Sequence, residues 1–400
     1  MRALRLHRRG VEGLTVDEIE APVPGAGEAL VRVHAAALTR DELDWPLDRL
    51  PAIPSYEMSG VVEAVAPDVT DVARGDAVFA LTPFDRDGAA ADYVAVPADL
   101  LAPKPESLDH VQSAAVPLAA LSAWQGLFDH GKLQPHERVV VTGPRGGVGH
   151  FAVQLARHRD AHVVEPGERP VDLVFDTVGG DELAAANSKR VVSIAEEAPG
   201  VTYFVVEPNR AQLVELARLV DDGALRPAID SVFPLGEARA AFERTQERGK
   251  RGKVVLRVAE SAAWVAEHSI ETTADPEAVW REWVDVARWP EWNGDIERID
   301  VDGPFRAGTR ITMTPAGQDP VELRIAETAA PELFVDEADL GEIVVRTTHR
   351  AERLAGARTR ITYRMEISGP AAETLGPELG PQISGDFPQV LAALAERAEA

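Results

Sequence analysis

A glycine-rich turn between a buried strand and a helix constrains the fold of this chain more than any other segment does. Residues 139–141 are three valines, a β-branched run typical of a buried parallel strand. The turn that follows contains four glycines: Gly143, Gly146, Gly147 and Gly149. Apolar residues then recur at helical spacing over residues 148–155. Since this order presents backbone N–H groups and a positive helix end to a pyrophosphate, the segment predicts the nucleotide-binding part of an α/β sheet.

Length and charge narrow the classes of protein to which the chain can belong. Its 400 residues are expected to form two or three domains. The formal net charge of −25 repels nucleic acid and anionic membranes, so neither is expected as a partner. No stretch approaches the roughly eighteen consecutive apolar residues that a membrane span requires.

The absence of cysteine has direct chemical consequences. A chain with no cysteine forms no disulfide, has no thiolate nucleophile and offers no cysteine ligand to zinc. The basic residues at its start are not followed by an apolar stretch, so no signal peptide is expected. We therefore expect a cytoplasmic location.

The pattern of residues 1–258 predicts a β domain followed by an α/β segment. The first hundred residues alternate apolar and polar side chains and are punctuated by proline and glycine. A helical pattern over residues 113–127 leads into the glycine turn. Further predicted elements are buried strands at residues 171–176, 190–194 and 251–258 and an amphipathic helix at residues 210–222.

Ordered motifs are spread along this part, at residues 53–62, 117–125, 138–149, 175–180 and 251–256. With these motifs the chain resembles the medium-chain dehydrogenase/reductase superfamily, in its zinc-independent quinone-oxidoreductase branch. The resemblance implies a GroES-like substrate domain of residues 1–118, completed by about residues 230–258, and a Rossmann domain of residues 119–229. It also implies NADPH or NADH as cofactor, a quinone or α,β-unsaturated carbonyl compound as substrate, and pairing into a homodimer.

The resemblance further implies which residues face the cofactor. Ser122 and Ser193 resemble positions that line it, and Thr39 lies in the loop that faces the nicotinamide. Residues 176–178 end a strand at the carboxyl edge of the sheet, where such ligands bind. The expected cofactor-binding residues are Thr39, Ser122, Gly143, Gly146, Gly147, Val148, Gly149, Glu165, Asp176, Thr177, Val178 and Ser193.

Glu165 bears on the choice between the two cofactors. It lies at the expected end of the second strand of the nucleotide-binding domain, where a carboxylate accepts hydrogen bonds from the ribose hydroxyls and repels a 2′-phosphate. This position favours NADH. A solvated loop glutamate fits the same pattern, and the parent family mostly uses NADPH, so the sequence leaves the choice open.

Asp41 and Tyr56 are the candidates for proton transfer. Asp41, beside Glu42 in the loop that faces the nicotinamide, either shuttles a proton or is an ordinary exposed acid. Tyr56 either donates a proton to the reduced oxygen of the substrate or packs as a wall of the cleft. Both alternatives stay open, because hydride transfer asks little of the protein beyond placement of the cofactor.

The chain departs from the family pattern in two ways. Zinc-dependent members carry a cysteine in the first active-site loop and Gly-His-Glu where this chain has Ser55, Tyr56 and Glu57, so no metal is expected. About twenty-five residues, which form a helix and a strand in a full Rossmann half, are missing between residues 165 and 171. The segment after Asp181 is also short. These parts normally shape the adenine-ribose pocket.

Residues 262–400 show a different pattern, typical of a curved antiparallel sheet that grips a helix. A strand at residues 268–272 precedes an N-cap at Asp275 and a helix whose buried face is marked by Val279, Trp280, Trp283 and Val284. Further strands are predicted at residues 310–314, 321–325, 333–337, 343–350 and 359–367. The chain ends in one long helix with, on one side, Ile383, Phe387, Leu391 and Leu394.

Motifs at residues 274–280, 289–292 and 305–309 give this half a resemblance to the START/Bet v 1-like superfamily of polyketide cyclases and lipid-binding modules. The resemblance implies an apolar cavity between the sheet and the final helix. Four tryptophans either line it or belong to the core; the expected cavity residues are Trp280, Trp283, Trp289, Trp292, Phe387 and Leu391. No acid–base pair stands out, which favours binding of a hydrophobic small molecule over cyclase chemistry.

Two hypotheses follow for a multidomain chain that joins α/β and α+β folds. In the first, a zinc-free NAD(P)H-dependent oxidoreductase of quinone or enone type is fused to a hydrophobic-ligand module. In the second, a degenerate reductase without activity serves as a scaffold for the ligand-binding or cyclase-like domain. The intact glycine turn favours the enzyme, and the shortened nucleotide domain favours the scaffold.

Overall fold

The computed structural model describes residues 1–45, 47–184, 188–259, 264–354, 356, 358–369 and 371–400. The chain divides into two compact units, Met1–Ala259 and Glu260–Ala400. Residue 262, the expected start of the last domain, lies outside the described residues. Among the helices that are described, none is both long enough and apolar enough to cross a membrane.

The first unit combines a β domain with an α/β domain. Its strands are β1 (Arg2–Leu6), β2 (Leu14–Glu18), β3 (Glu28–Leu38), β4 (Glu57–Val65), β5 (Ala77–Leu81), β6 (Tyr93–Pro97), β7 (Ala102–Pro103), β8 (Arg138–Val141), β9 (His162–Val163), β10 (Leu173–Asp176), β11 (Arg190–Ser193), β12 (Thr202–Tyr203), β13 (Ile229–Pro234) and β14 (Lys253–Arg257). Its α-helices are α1 (His110–Ala114), α2 (Pro117–Trp124), α3 (Gly149–His158), α4 (Gly180–Ala184), α5 (Arg210–Asp221) and α6 (Ala238–Gln246). A π-helical turn, Gln125–His130, continues α2.

The β domain confirms the predicted GroES-like fold. One sheet has the order β13–β14–β3–β4–β5–β7, and β6 pairs with β3. Along β3, Ala29, Val31 and Val33 are buried and alternate with half-buried neighbours, as expected for a strand with one face on a core. β13 and β14 come from the end of the unit, so residues 229–257 complete the sheet that the first hundred residues begin.

The α/β domain is built on a parallel sheet with the order β12–β11–β10–β8–β9. β8 and β10 lie at its centre and are the valine-rich and apolar runs that the sequence analysis identified. Their side chains are buried because helices cover a parallel sheet on both faces. The predicted helix after the glycine turn is α3, and the predicted helix at residues 210–222 is α5.

The connection from β9 to β10 is as short as the sequence predicts. In the Rossmann order 3-2-1-4-5-6, β9 and β8 take places 2 and 1, and β10, β11 and β12 take places 4, 5 and 6. Residues 164–172 contain neither helix nor strand, so place 3 is empty and β9 forms the edge of the sheet. Arg138 holds this segment, since its backbone N–H donates to Asp172 Oδ2 at 2.8 Å and its Nη2 to Glu168 Oε2 at 2.9 Å.

The second unit is a seven-stranded antiparallel sheet with three α-helices among its described residues. Its strands are β15 (Trp264–Thr272), β16 (Ile296–Asp302), β17 (Arg310–Pro315), β18 (Val321–Ala329), β19 (Leu333–Asp339), β20 (Val344–Leu354) and β21 (Arg358–Ser368), and its helices are α7 (Pro276–Val284), α8 (Ala372–Ser384) and α9 (Phe387–Glu399). The strand order is β15–β21–β20–β19–β18–β17–β16. The Asp275 side chain caps α7 by accepting the N–H of Ala278 at 2.7 Å, as predicted.

Three sequence expectations for this unit are wrong. The single final helix is two helices: α8 ends at Ser384 and α9 begins at Phe387, and Pro388 in the first turn of α9 favours a helix start there. Ile383 therefore lies in α8 and is exposed. Val284 ends α7 and is also exposed, while Ala278 is buried in its place. The strand β16 and the helix α8 lacked a clear periodic pattern and were missed.

Candidate nucleotide-binding and active site

The glycine turn between β8 and α3 is packed so tightly that two of its glycines are required by the structure itself. Gly143 has φ +58°, and a Cβ atom there would lie 2.7 Å from Val178 Cγ2 and 2.9 Å from Thr177 Oγ1. A Cβ atom on Gly149 would lie 2.1 Å from the carbonyl oxygen of Gly143. Both glycines thus allow the strand, the turn and the helix to approach one another, as the nucleotide-binding turn needs.

The other two glycines face the β domain. Gly146 forms an isolated parallel bridge with Gly252, whose N–H donates to the carbonyl oxygen of Arg145 at 3.0 Å. A Cβ atom on Gly147 would lie 2.9 Å from Lys253 Cδ, so the stem of this lysine runs directly against the turn. The glycine turn therefore contacts the start of β14 through Gly252, which precedes the strand, and through Lys253, its first residue.

His150, the second residue of α3, links the glycine turn to Ala228 through hydrogen bonds of both ring nitrogens. The N–H of Ala228 donates to His150 Nε2 at 3.1 Å, so Nε2 is an acceptor and Nδ1 carries the proton. Nδ1 donates to the carbonyl oxygen of Gly146 at 2.9 Å. Burial lowers the pKa of His150, which keeps the ring neutral in this bridging role.

Asp176 organises the carboxyl edge of the parallel sheet. Its carboxylate is fully buried and accepts from Thr142 Oγ1 and from Ser193 Oγ, each at 2.7 Å, and from the N–H of Gly179 at 3.1 Å. It thus ties together the ends of β8, β10 and β11. Asp176 and Ser193 are two of the expected cofactor-binding residues. Their side chains are hydrogen-bonded to each other, which gives them a structural role at the carboxyl edge of the sheet.

The remaining expected cofactor residues differ in how far they are buried and in whether their side chains already form hydrogen bonds. Thr177 Oγ1 donates to the carbonyl oxygen of Thr142 at 2.7 Å, and Val178 is exposed beside the turn. Val148 is half-buried and precedes α3. Ser122 is buried, and its hydroxyl donates to the carbonyl oxygen of its own helix four residues earlier. Glu165 is exposed, two residues beyond the end of β9.

A buried cluster of polar side chains adjoins the turn and consists of Thr39, Glu42, Glu57 and Lys253. β14 begins at Lys253 and β4 begins at Glu57, and both strands pair with β3, which Thr39 follows directly. The register of the sheet therefore brings Thr39, Glu57 and Lys253 together at the same end of these three strands. Glu42 lies in the short 3₁₀ turn Glu42–Asp44 just beyond.

The centre of this cluster is an ion pair. Lys253 Nζ lies 2.5 Å from Glu57 Oε1 and donates to Thr39 Oγ1 at 3.2 Å. The other carboxylate oxygen of Glu57 accepts the N–H of Leu118 at 2.9 Å, near the start of α2. The Lys253 side chain is 6% exposed and the Glu57 side chain 0%, so water screens this pair little.

Glu42, and not its neighbour Asp41, is the buried acid of this loop. Its Oε2 accepts the N–H of Thr39 at 3.1 Å, while Oε1 is buried and has no hydrogen-bond partner among the described residues. Burial raises the pKa of Glu42 well above its usual value, and the positive charge of Lys253 only partly offsets this. Asp41, the candidate named beside it, is exposed. No periodicity distinguishes the two acids, because a 3₁₀ turn decides which one points inward.

Tyr56 packs in the interior of the first unit. It is fully buried, and its hydroxyl accepts a hydrogen bond from Arg49 Nη2 at 2.8 Å. Its ring packs against Trp45 and Phe84, with centroids 5.7 and 5.3 Å away. Burial raises the pKa of Tyr56 to about 12. Of its two alternative roles, this geometry supports packing and does not support proton donation to a substrate.

No three His, Asp or Glu side chains lie together in a metal-binding arrangement within the described part of the chain.

In the second unit, the expected cavity residues lie in or against one core. Trp283 is fully buried and its Nε1 donates to the Tyr363 hydroxyl at 3.2 Å, while Trp289 Nε1 donates to the carbonyl oxygen of Trp283 at 3.0 Å. Trp292 is buried, and its Nε1 has no partner among the described residues. Leu391 is fully buried within the same core, and two further expected residues, Trp280 and Phe387, are half-buried against it.

The register of this sheet creates an acid–base pair that the sequence did not indicate. Phe334, His349 and Tyr363 lie directly opposite one another on β19, β20 and β21. His349 Nε2 lies 2.7 Å from Asp336 Oδ2, and its ring stacks on Phe334 with centroids 4.0 Å apart. Its Nδ1 is buried and has no hydrogen-bond partner in the part of the chain that the structure describes. No such pair stands out in the sequence, because the two partners are joined by strand pairing rather than by their spacing in the chain.

Comparison with protein families agrees with this architecture. Residues 25–106 match the alcohol dehydrogenase GroES-like domain, residues 150–256 match the zinc-binding dehydrogenase family, and residues 263–399 match the polyketide cyclase / dehydrase and lipid transport family.

Individual relatives cover the first unit. A mitochondrial zinc-binding oxidoreductase of Arthroderma benhamiae is 31% identical over 309 residues, which cover 61% of this chain and 93% of that protein. The chloroplastic quinone-oxidoreductase QR1 of Triphysaria versicolor is 26% identical, with 62% and 94% covered. The solved quinone oxidoreductase of Coxiella burnetii superposes with a TM-score of 0.61 at 26% identity, covering 65% of this chain and 99% of its own.

The fold and the glycine-turn site of the first unit define a medium-chain dehydrogenase/reductase. The chain belongs to the quinone-oxidoreductase-like branch of this family and carries a C-terminal domain of the polyketide cyclase type.

Proposed function

We propose that the first unit is a zinc-free, NAD(P)H-dependent reductase of quinones or α,β-unsaturated carbonyl compounds. The observation that carries the proposal is the glycine turn, which joins a buried strand to α3 and is fastened on both sides by Gly252 and His150. A pyrophosphate at this turn meets backbone N–H groups and the positive end of α3. The names of the relatives, quinone oxidoreductases among them, support the same reaction class.

Within this proposal, the nicotinamide cofactor supplies the hydride and the protein supplies placement. Gly146 and Gly147 leave the backbone open to the pyrophosphate. Thr39 is the half-buried member of the cluster, and its hydroxyl accepts from Lys253 at 3.2 Å, so its own proton is free to be donated to a bound cofactor. Trp45 and Phe84 present aromatic faces near the same loop, which suits a planar quinone.

The choice between NADH and NADPH belongs to the same proposal. Glu165 lies just beyond the short edge strand β9, where a 2′-phosphate would meet its carboxylate. The missing third strand leaves this side of the sheet without the segment that normally surrounds the adenine ribose. We therefore expect modest discrimination, with NADH bound at least as tightly as NADPH.

A direct assay tests the proposed activity. Oxidation of NADH and of NADPH is followed at 340 nm with 1,4-benzoquinone and, separately, with methyl vinyl ketone as acceptor. The expected result is acceptor-dependent oxidation of at least one cofactor by one of the two substrate classes. If neither cofactor is oxidised with either acceptor but one of them binds, the first unit is a nucleotide-binding protein of another kind.

The second unit is proposed to bind a hydrophobic, preferably aromatic, small molecule. Its core combines a curved sheet, a covering helix and a concentration of aromatic rings with a few buried polar atoms, which is the composition typical of ligand pockets. The unpaired Nε1 of Trp292 and Nδ1 of His349 are polar anchors that such a ligand would satisfy.

The non-enzymatic scaffold remains a second candidate because of one observation, the empty third place of the Rossmann sheet. Without that strand, the adenine end of a dinucleotide loses part of its usual surroundings. This candidate predicts that neither NADH nor NADPH raises the melting temperature at millimolar concentration.

A further inference from the structure

Lys253 connects the glycine turn to a pair of buried carboxyl groups. Its stem passes against Gly147, and its ammonium group ends at Glu57 and Thr39. Any anion that binds at the turn therefore lies close to this ammonium group. Both interactions lie in surroundings from which water is largely excluded, so charges act on each other more strongly than at a surface.

The charge of this cluster is decided by Glu42. Lys253 and Glu57 cancel each other, so the cluster is neutral when Glu42 carries a proton and has one net negative charge when Glu42 is ionised. A dinucleotide brings two further negative charges in its pyrophosphate. An ionised Glu42 would oppose that binding, whereas a protonated Glu42 would not.

We propose that Glu42 is a positioning residue of the nucleotide site whose carboxyl group carries a proton in the nucleotide complex, so that dinucleotide binding is linked to proton uptake from solvent. The proposal rests on the proposed cofactor binding by the first unit. The unpaired, fully buried Oε1 of Glu42 supports it, because a protonated carboxyl group avoids leaving an anionic oxygen in that place without a donor.

Several groups on the described elements act on Glu42, and the Tyr56 hydroxyl is coupled to it as well, because the charge of Glu42 contributes to the raised pKa of Tyr56. Lys253 on β14 and the N–H of Thr39 after β3 favour its ionised form, while Glu57 on β4 and Asp41 in its own loop oppose that form. Burial opposes it most and raises the pKa of Glu42. By linkage, a bound pyrophosphate raises this pKa further, and the same coupling weakens nucleotide binding as Glu42 ionises.

The test measures the dissociation constant of NADH between pH 6 and pH 9 for the wild type and for Glu42→Gln, which keeps the shape of the side chain without its charge. NADH is the probe because its pyrophosphate does not titrate in this range. For the wild type, we expect the Kd to rise with pH above the pKa of Glu42, by up to about tenfold per pH unit. For Glu42→Gln, we expect less than about threefold change over the whole range.

Asp44→Asn is the matched control, since it removes the same charge from an exposed position of the same 3₁₀ turn. It should keep the wild-type pH dependence. A second measurement needs no variant: addition of NADH to weakly buffered wild-type protein at the pH where its Kd is rising should take up a substantial fraction of one proton per chain.

Two outcomes overturn the proposal in distinguishable ways. If the wild type binds NADH but its pH dependence equals that of Glu42→Gln, or no proton is taken up, the linkage is absent while the proposed function stands. If the wild type binds neither NADH nor NADPH at any pH, the proposed cofactor binding fails and the linkage fails with it.

Discussion

Lys253 and Glu57 form an ion pair that is almost completely withdrawn from water, at a distance of 2.5 Å between Nζ and Oε1. The two residues begin strands β14 and β4, on either side of β3. The pair thus joins the end of the first unit to its first hundred residues, directly beside the glycine turn.

Breaking this pair from one side is expected to destabilise the first unit. Lys253→Met leaves the carboxylate of Glu57 buried without its counter-charge, which costs about 3–5 kcal/mol in the free energy of unfolding. The double variant Lys253→Met/Glu57→Gln should recover a large part of the loss, because neither member then carries an unpaired charge. Urea unfolding of the full chain measures both. As a control, Arg218→Met removes the exposed ion pairs with Glu215 and Asp222 and should cost less than about 1 kcal/mol.

The glycine turn predicts a thermal response to nucleotide. NADH or NADPH should raise the melting temperature of the wild type, because a ligand that binds only the folded state stabilises it. Gly147→Asp places a carboxylate where the pyrophosphate is proposed to lie and should abolish the shift. Gly236→Asp is the control for an added carboxylate alone, since a Cβ atom there meets nothing within 4 Å, whereas a Cβ atom on Gly147 meets Lys253 Cδ at 2.9 Å. A full shift in Gly147→Asp would contradict pyrophosphate binding at this turn.

Two stacked histidines in the β domain predict acid sensitivity. The rings of His34 and His110 lie 4.2 Å apart, and burial lowers their pKa values to about 2 and about 4. Below pH 6.5 the unfolded chain takes up protons at both positions and the folded chain does not. Stability is therefore fully present above pH 6.5 and falls as the pH drops, by up to about 1.4 kcal/mol per pH unit for each histidine.

Replacing one of these histidines checks this prediction. His34→Leu should reduce the slope of unfolding free energy against pH between pH 6 and pH 4.5, measured by urea unfolding. His162→Leu, at an exposed position, should leave the slope unchanged. An unchanged slope in His34→Leu would mean that this ring is protonated in the folded protein.

The residue types near the glycine turn predict that the proposed reductase activity does not require zinc. The chain has no cysteine, and Tyr56 stands where zinc-dependent members of the family carry histidine. The Tyr56 hydroxyl accepts a hydrogen bond from Arg49. We expect less than about 0.1 zinc per chain by elemental analysis, and reductase activity that is unchanged by a chelator. One tightly bound zinc per chain would refute this.

The second unit predicts saturable binding of an aromatic probe. Naringenin added to the full chain should quench or shift tryptophan emission, because most of the tryptophans surround the proposed pocket. Leu391→Trp fills space at a fully buried position of α9 and should weaken binding by about tenfold or more. Ile383→Trp, at an exposed position of α8, should not. Equal affinity in both variants would place the probe elsewhere.

Much of the fold was predictable because its signals are local. β8, the glycine turn and α3 follow one another without interruption, so valine content, glycine spacing and helical periodicity all point to the same element. The short connection after β9 was equally readable, since a missing strand shortens the chain itself. The boundary between α8 and α9 was not predicted, because an apolar pattern at helical spacing continues across it.

By itself, the sequence determined the kinds of domain in this protein and the position of its nucleotide turn, because these depend on neighbours in the chain. The tertiary structure decided which polar groups are withdrawn from water. Lys253 and Thr39 are 214 positions apart, yet strand pairing brings them into contact. The 3₁₀ turn buries Glu42 and exposes Asp41, and the register of β19 and β20 joins Asp336 to His349. Such pairs arise from long-range packing, which no pattern of neighbouring residues in the chain reveals.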